Sequence, residues 1–283
     1  MRLRLRGVEL EWAAERPRVL VMGIVNATPD SFADGGRYLE PAAAARHARR
    51  LVAEGADLLD VGAESTRPGA PPVPADQEGA RLLPVLERIL ATVDCPVSVD
   101  TSKPAVADAA LRLGAHMVND VTGLAAGPEL AAVCARHGAG LALVHMQGTP
   151  RTMQVAPHYD DLLGEVRAGL AAAVDVAVGA GVAPEAICVD PGIGFGKTVA
   201  HNLTLLKRLD ALQALGRPIL VGPSRKSFIG ALLDVPPAER LEGTLAACTV
   251  AVTAGVHLLR VHDVGAVRRA VRVAEAIRDA PAG

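Results

Sequence analysis

Apolar and charged residues alternate at the start of the chain. Leu3, Leu5, Val8 and Leu10 interleave with Arg2, Arg4, Arg6, Glu9 and Glu11. A period of two, broken at Gly7, predicts a half-buried hairpin over residues 1–15 that caps the bottom of whatever follows. The pattern then changes. Short continuous apolar runs lie at 18–25, 56–61, 96–99, 115–118, 140–145, 186–189, 217–222 and 255–261. Segments rich in Ala, Leu, Arg and Glu follow them at 41–54, 76–91, 104–113, 128–137, 159–181, 200–214, 237–254 and 263–279. Eight strand–helix pairs in 283 residues predict a (β/α)8 TIM barrel, with a doubly wound sheet as the runner-up fold. No Pro/Gly/Ser linker divides the chain, so one domain over 1–283 is expected.

Polar residues cluster where these runs end: Asn26; Asp60 with Glu64-Ser65-Thr66-Arg67; Asp100; Asn119-Asp120; His145; Asp190; Ser224-Arg225-Lys226-Ser227; and Arg260 with His262. One such residue is usually a turn former or helix cap. Eight in succession fit a barrel whose chemistry gathers at the carboxyl ends of its strands. The loop Asp190-Pro191-Gly192-Ile193-Gly194-Phe195-Gly196-Lys197 is too irregular for either common phosphate loop. A Walker A loop needs glycine where Pro191 stands, and a dinucleotide fingerprint needs it where Lys197 stands. The connections after the first two strands, 27–36 and 65–74, exceed an ordinary βα turn of about 2–6 residues and are expected to work as lids.

Composition narrows the choice. A net charge of -2 gives no footprint for nucleic acid or an anionic membrane, and aromatics at 2% leave little for base stacking. No apolar run reaches the roughly 18 residues of a membrane helix, and Met1–Arg6 lacks a signal-peptide core. Cys95, Cys134, Cys188 and Cys248 stand far apart in apolar surroundings, which predicts buried free thiols in a reducing cytoplasm. There are 25 arginines but only four lysines. Three of them, Lys103, Lys197 and Lys226, follow predicted strands. A compact ammonium differs chemically from a guanidinium, so a role is open to each, although chance placement remains a reasonable account of Lys103 and Lys197.

The motifs, in order, are Met22-Gly23-Ile24-Val25-Asn26-Ala27-Thr28-Pro29-Asp30-Ser31-Phe32, Glu64-Ser65-Thr66-Arg67-Pro68-Gly69, Ser98-Val99-Asp100-Thr101, Asn119-Asp120-Val121, His145-Met146-Gln147-Gly148-Thr149-Pro150, the Asp190–Lys197 loop, Ser224-Arg225-Lys226-Ser227 and Arg260-Val261-His262-Asp263-Val264. From Val19 to Val264 the chain resembles the dihydropteroate synthases. These are (β/α)8 barrels, usually homodimeric, that join 6-hydroxymethyl-7,8-dihydropterin pyrophosphate to para-aminobenzoate with Mg²⁺ assisting.

The resemblance implies a role for each matching position. Asp100, Asn119, Asp190, Lys226 and Arg260 would hold the pterin, with Lys226, Asp190 and Arg260 central to catalysis. Asn26, Arg67, Arg260 and His262 would bind pyrophosphate, and Asn26 would be the sole protein ligand to Mg²⁺. Phe32, Thr66, Pro68, Phe195 and Ser227, beside Lys226, would form the aminobenzoate pocket. Asp34 would order the closed loop, and His145 would be structural or support the site. The chemistry fits independently: a pterin has a guanidine-like edge of N–H donors, which buried carboxylates are suited to accept. Two departures, Ala63 for a glycine and Val144 for a methionine, remove no charge. A methyltetrahydrofolate-binding methyltransferase would share the pterin cradle but not the Arg260/His262 anion site. A relative that holds pterin without turning it over would carry the same motifs, and an unrelated phosphate-binding barrel would share the fold alone.

Overall fold

A computed structural model describes residues 1–13, 18–27 and 40–281. The hairpin is present. Strands β1 (Arg2–Leu5) and β2 (Val8–Glu11) pair antiparallel, with Leu3 opposite Leu10 and Gly7 turning between them at a φ of 73°.

Strands and helices then alternate: β3 (Leu20–Asn26), α1 (Pro41–Ala53), β4 (Leu58–Gly62), α2 (Ala75–Leu90), β5 (Val97–Asp100), α3 (Pro104–Leu113), β6 (Met117–Asp120), α4 (Glu129–His137) and β7 (Gly140–Val144). The second half runs α5 (Leu162–Gly179), β8 (Ile187–Asp190), α6 (Val199–Lys207), β9 (Leu220–Val221), α7 (Ser227–Leu233), α8 (Leu241–Thr253), β10 (Leu258–Val261) and α9 (Val264–Arg278). Local chemistry sets several boundaries. Pro41 and Pro104 open their helices, Gly114 and Gly138 close theirs in left-handed conformation, and Thr198 makes a capping box with His201.

The eight parallel strands run in the order β8-β7-β6-β5-β4-β3-β10-β9. A parallel bridge from Val189 to Ile219 joins the two ends and closes the barrel. Side chains alternate between the helical shell and the lumen. Met22, Leu58, Met117, Ala142, Cys188, Leu220 and Leu258 pack on Leu3, Leu5 and Trp12 of the hairpin segment, so the lumen has an apolar floor. Two residues further along the same strands stand Ile24, Asp60, Asn119, Val144, Asp190, Gly222 and Arg260. Four further stand Asn26, Gly62, Val121, Met146, Gly192, Ser224 and His262. The lumen therefore turns polar one layer above the floor.

Two predicted helices are shorter than their patterns. The 200–214 segment splits into α6 and a 3-10 turn, Leu209–Leu215. No glycine or proline marks the break. Three residues per turn put Leu209 and Leu212 on one face, and both are buried. The 237–254 segment likewise begins with a 3-10 turn, Pro237–Glu239, before α8. Helix α7 has no counterpart among the predicted helices, because Gly230 interrupts its short pattern. Cys134, Cys188 and Cys248 are buried as expected, but Cys95 is only half-buried, lying in the turn that leads into β5.

Candidate active site

Arg260 is the centre of the polar layer. Its Nε donates to Asp60 Oδ2 at 2.6 Å and its Nη2 to Asp100 Oδ2 at 2.6 Å. Asn119 Nδ2 donates to the same Asp60 oxygen at 3.2 Å. Four strands thus meet in one network. Two of the guanidinium's five N–H donors are used, which leaves three and a planar face for a ligand. Asp60 Oδ1, Asn119 Oδ1 and Ser98 Oγ are buried without a partner among the described residues. Buried acceptors left this way are costly, and they suit an incoming edge of N–H groups.

Asp190 and Lys226 complete the layer. Asp190 Oδ1 accepts the Gly192 N–H at 2.7 Å. Lys226 Nζ lies 3.9 Å from the centre of the Phe195 ring, a cation–π contact. Burial pushes Asp100 up to about 7 against the pull of Arg260, and pushes Asp190 up to about 6 against its Gly192 hydrogen bond and the charges of Lys226 and Arg260. Burial, then Arg260, lowers Lys226 to about 8. Perturbed groups of both signs in one lumen make it a candidate site for chemistry.

Above them, Ser224 Oγ lies 3.0 Å from His262 Nδ1 and accepts the His262 backbone N–H at 3.2 Å. Letting the hydroxyl donate to Nδ1 assigns the tautomer whose Nε2–H is left to donate. Burial and Arg260 depress His262 to about 3, so it offers a neutral donor and not a second cation. An apolar wall of Val121, Val144, Met153 and Phe195, with Met146, flanks the charged groups. Val144 sits in this wall.

The loop after β8 is held from behind. Lys197, 2% exposed, donates to the Phe195 carbonyl at 2.9 Å and to the His145 carbonyl at 3.3 Å, and its Nζ lies 3.1 Å from His145 Nδ1. Tyr159 Oη donates to the Gly196 carbonyl at 2.9 Å. A side chain at Gly192 or Gly196 would drive its Cβ into the carbonyl oxygen of His145 or Gln147, so both glycines are required by close approach. Lys103 bridges Glu64 and the fully buried Glu78 at 2.5 Å each, and Glu64 accepts the Val73 N–H at 2.7 Å. Chance placement of Lys103 and Lys197 is thereby corrected. Both are buried or half-buried amines with assigned partners, one fixing the loop after β4 and the other, lowered by burial to about 7, the loop after β8. His145 is a supporting group in the second.

The expected residues do not all converge. Asp100, Asn119, Asp190, Lys226, Arg260, Phe195 and His262 share the lumen or its mouth. Asn26 ends β3 beside Gly62, and a Cβ on Gly62 would lie 3.1 Å from Asp100 Cβ. Thr66 is half-buried, Arg67 and Pro68 are exposed on the loop after β4, and Ser227 is exposed at the start of α7. Arg67 makes no ion pair with a described residue, so the structure does not join it to the anion side. Phe32 and Asp34 lie outside the described residues. The sequence marks Asp60 only as a strand-end carboxylate, yet it anchors Arg260. Its signal is present: a charge inside Leu58-Leu59-Asp60-Val61 needs a buried partner. Asp120, by contrast, is absorbed locally by Thr122 and Leu124. A hollow of about 430 Å³ lined by Gln147, Gly148, Thr152, Met153, Val155 and Pro157 contains no titratable side chain, unlike the charged lumen.

Residues 22–262 match the family described as pterin binding enzyme. A dihydropteroate synthase of Synechocystis is 48% identical over 92% of this chain and 90% of its own length. The Escherichia coli enzyme of that name is 46% identical over 90% of each. Among solved structures, Yersinia pestis dihydropteroate synthase in a sulfonamide drug complex superposes with a TM-score of 0.93 at 42% identity, covering 99% of this chain and 100% of that one. The Thermus thermophilus enzyme in complex with 4-aminobenzoate superposes at 0.86 with 49% identity, covering 98% of this chain and 100% of that one.

Proposed function

The chain belongs to the pterin-binding enzymes, among the dihydropteroate synthases, and from that membership we propose how its lumen joins 6-hydroxymethyl-7,8-dihydropterin pyrophosphate to para-aminobenzoate, giving 7,8-dihydropteroate and pyrophosphate. The observation that carries the reading is the buried network of Arg260, Asp60, Asp100 and Asn119, with Asp190 and Lys226 beside it.

Asp100 and Asp190 accept the N–H edge of the pterin, and Asn119 donates and accepts beside them. Arg260 and Lys226 balance these carboxylates and face the ring. In the reaction the bond from the methylene carbon to the pyrophosphate oxygen breaks, and the oxygen keeps the electron pair. The amine nitrogen of aminobenzoate forms the new C–N bond and sheds one proton. No covalent bond to the protein is needed. Positioning and charge stabilisation supply the acceleration. In this reading Arg260 and the His262 Nε2–H donate to pyrophosphate, with Arg67 supplied by its loop. Phe195, Thr66, Pro68, Ser227 and Phe32 are assigned to the aminobenzoate side.

Mg²⁺ belongs to this reading. No group of three His, Cys, Asp or Glu among the described residues could hold a metal. A lone amide oxygen from Asn26 fits an ion that keeps its waters and rides on substrate phosphates. When bound, the ion neutralises charge on pyrophosphate. A homodimer is also proposed. Leu203 of α6, Leu232 and Leu233 of α7, and Val250 of α8 are exposed, and the three helices pack together. No described helix is long and apolar enough to cross a membrane. A cytoplasmic setting goes with the buried free thiols of Cys134, Cys188 and Cys248, which burial pushes up in pKa.

The test is pyrophosphate release from the dihydropterin substrate. Release should require aminobenzoate, stop with a chelator and return with Mg²⁺. Equal release without aminobenzoate contradicts the reaction, and indifference to chelation removes Asn26 from metal binding. Pterin binding should also depend on pH. Asp100 and Asp190, raised to about 7 and about 6, accept hydrogen bonds fully only when ionised. Affinity should therefore fall as pH drops from 8 to 5.5, on the order of tenfold or more by proton linkage. A flat calorimetric profile over that range contradicts the cradle.

A further inference from the structure

Arg225, just before Lys226, has a φ of 56°. A residue with a Cβ is disfavoured there, and glycine would meet the turn at no steric cost. An arginine in this position needs a reason, and its contacts supply one. The backbone N–H donates to Thr244 Oγ1 at 3.0 Å, and the backbone carbonyl accepts from Arg240 Nη1 at 3.1 Å. The side chain makes a two-pronged ion pair with Asp263: Nε to Oδ2 at 2.9 Å and Nη2 to Oδ1 at 2.5 Å. Two separate segments, the start of α8 and the end of β10, thus grip one residue.

The partners are themselves fixed. Thr244 is fully buried and donates to the Arg240 carbonyl at 2.8 Å. Arg240 passes across α7 at Gly230, where any Cβ would strike its guanidinium, and reaches the Val235 carbonyl beyond the helix. Asp263 follows His262 at the end of β10, the strand that carries Arg260. Alongside, Ser224 holds His262. The turn carrying Lys226 is therefore clamped to the strand carrying Arg260 by two adjacent contacts. The Lys226 ammonium emerges on the other side, over Phe195.

We propose that Arg225 is a positioning residue: its ion pair to Asp263 locks the 223–226 turn against the end of β10 and so holds the Lys226 ammonium over Phe195 in the lumen. The proposal rests on the reading of Lys226 as a pterin-contacting group. Neither Arg225 nor Asp263 touches substrate in this account. Both act through Lys226.

Arg225→Gly separates this from a general structural role, because glycine adopts the backbone conformation freely while losing the clamp. Its melting temperature should stay within a few degrees of the parent, while kcat/KM falls on the order of 100-fold, as a misplacement of about 1 Å can cause. Asp263→Asn, which keeps one acceptor, should lose less. The deciding measurement is a cycle on pterin affinity, read by calorimetry. Arg225→Gly should weaken binding in the parent but change it less than about twofold in the Lys226→Ala background, since residues acting through one another do not add. An equal loss in both backgrounds overturns the proposal, as does parent-like kcat/KM in folded Arg225→Gly. Should Arg225→Gly not fold, Asp263→Asn through the same cycle decides by the same criterion. A parent protein that binds pterin but releases no pyrophosphate would sink the proposed function and leave the affinity cycle to judge the clamp.

Discussion

Replacing Arg260 by methionine is expected to abolish turnover and to lower thermal stability together. The guanidinium is the shared partner of Asp60 and Asp100, both buried, and Asp60 already has one oxygen without a partner. Removing one side of a buried ion pair typically costs about 3–5 kcal/mol, because the remaining charge stays desolvated. At about 2–4 °C per kcal/mol for a protein of this size, the melting temperature should fall by roughly 6–20 °C. Lysine should not rescue it, since one ammonium cannot reproduce the separate Nε and Nη2 contacts. The sign of the pH effect follows from Asp100. Its folded pKa is already raised to about 7 and would rise further without Arg260. As pH falls the carboxyl protonates and the penalty shrinks, so parent and variant should differ more at pH 8 than at pH 5.5. Equal melting temperatures at pH 8 would contradict the central placement of Arg260.

Replacing Lys226 by alanine is expected to separate the two properties. Burial and Arg260 lower this ammonium to about 8, so at pH 7 it is mostly charged and held at a cost. For a lysine lowered in the folded state, that cost is present below about 8 and disappears as pH rises from there through its ordinary value of about 10.4. Lys226→Ala should therefore leave the melting temperature at pH 7 near or above the parent's. Turnover should drop by about 10²–10³, the loss typical for one charge-stabilising donor. Arginine should substitute poorly. The compact ammonium sits 3.9 Å from the centre of the Phe195 ring, a contact that a planar fork does not reproduce. A stability loss as large as that of Arg260→Met would argue that Lys226 is structural.

The barrel is legible in the sequence because each buried parallel strand is a short apolar run and each helix an amphipathic one. The polar strand ends give most of the lumen, since a period of two fixes which residues face inward. Asp60 is marked as a charge that needs a buried partner, but which partner is not legible, because Arg260 is 200 residues away. Lys103 and Lys197 escape for a similar reason: Glu64, Glu78 and His145 are near them only in the folded chain. Arg225 cannot be singled out, because a backbone dihedral leaves no mark on an arginine side chain. Arg67 and Ser227, taken from motif resemblance, stand exposed on their loops, and what brings them to a ligand is not written in periodicity.

The floor of the lumen has an experimental consequence. Trp12 is the only tryptophan in the chain, it is buried under the barrel, and its ring meets His257 edge-on at 5.2 Å. Burial lowers His257 to about 4, so that neighbour stays neutral above about pH 5. Intrinsic emission should therefore report whether the bottom of the molecule is intact and remain indifferent to events at the opposite end. That gives the substituted proteins a built-in optical gauge of folding, independent of occupancy.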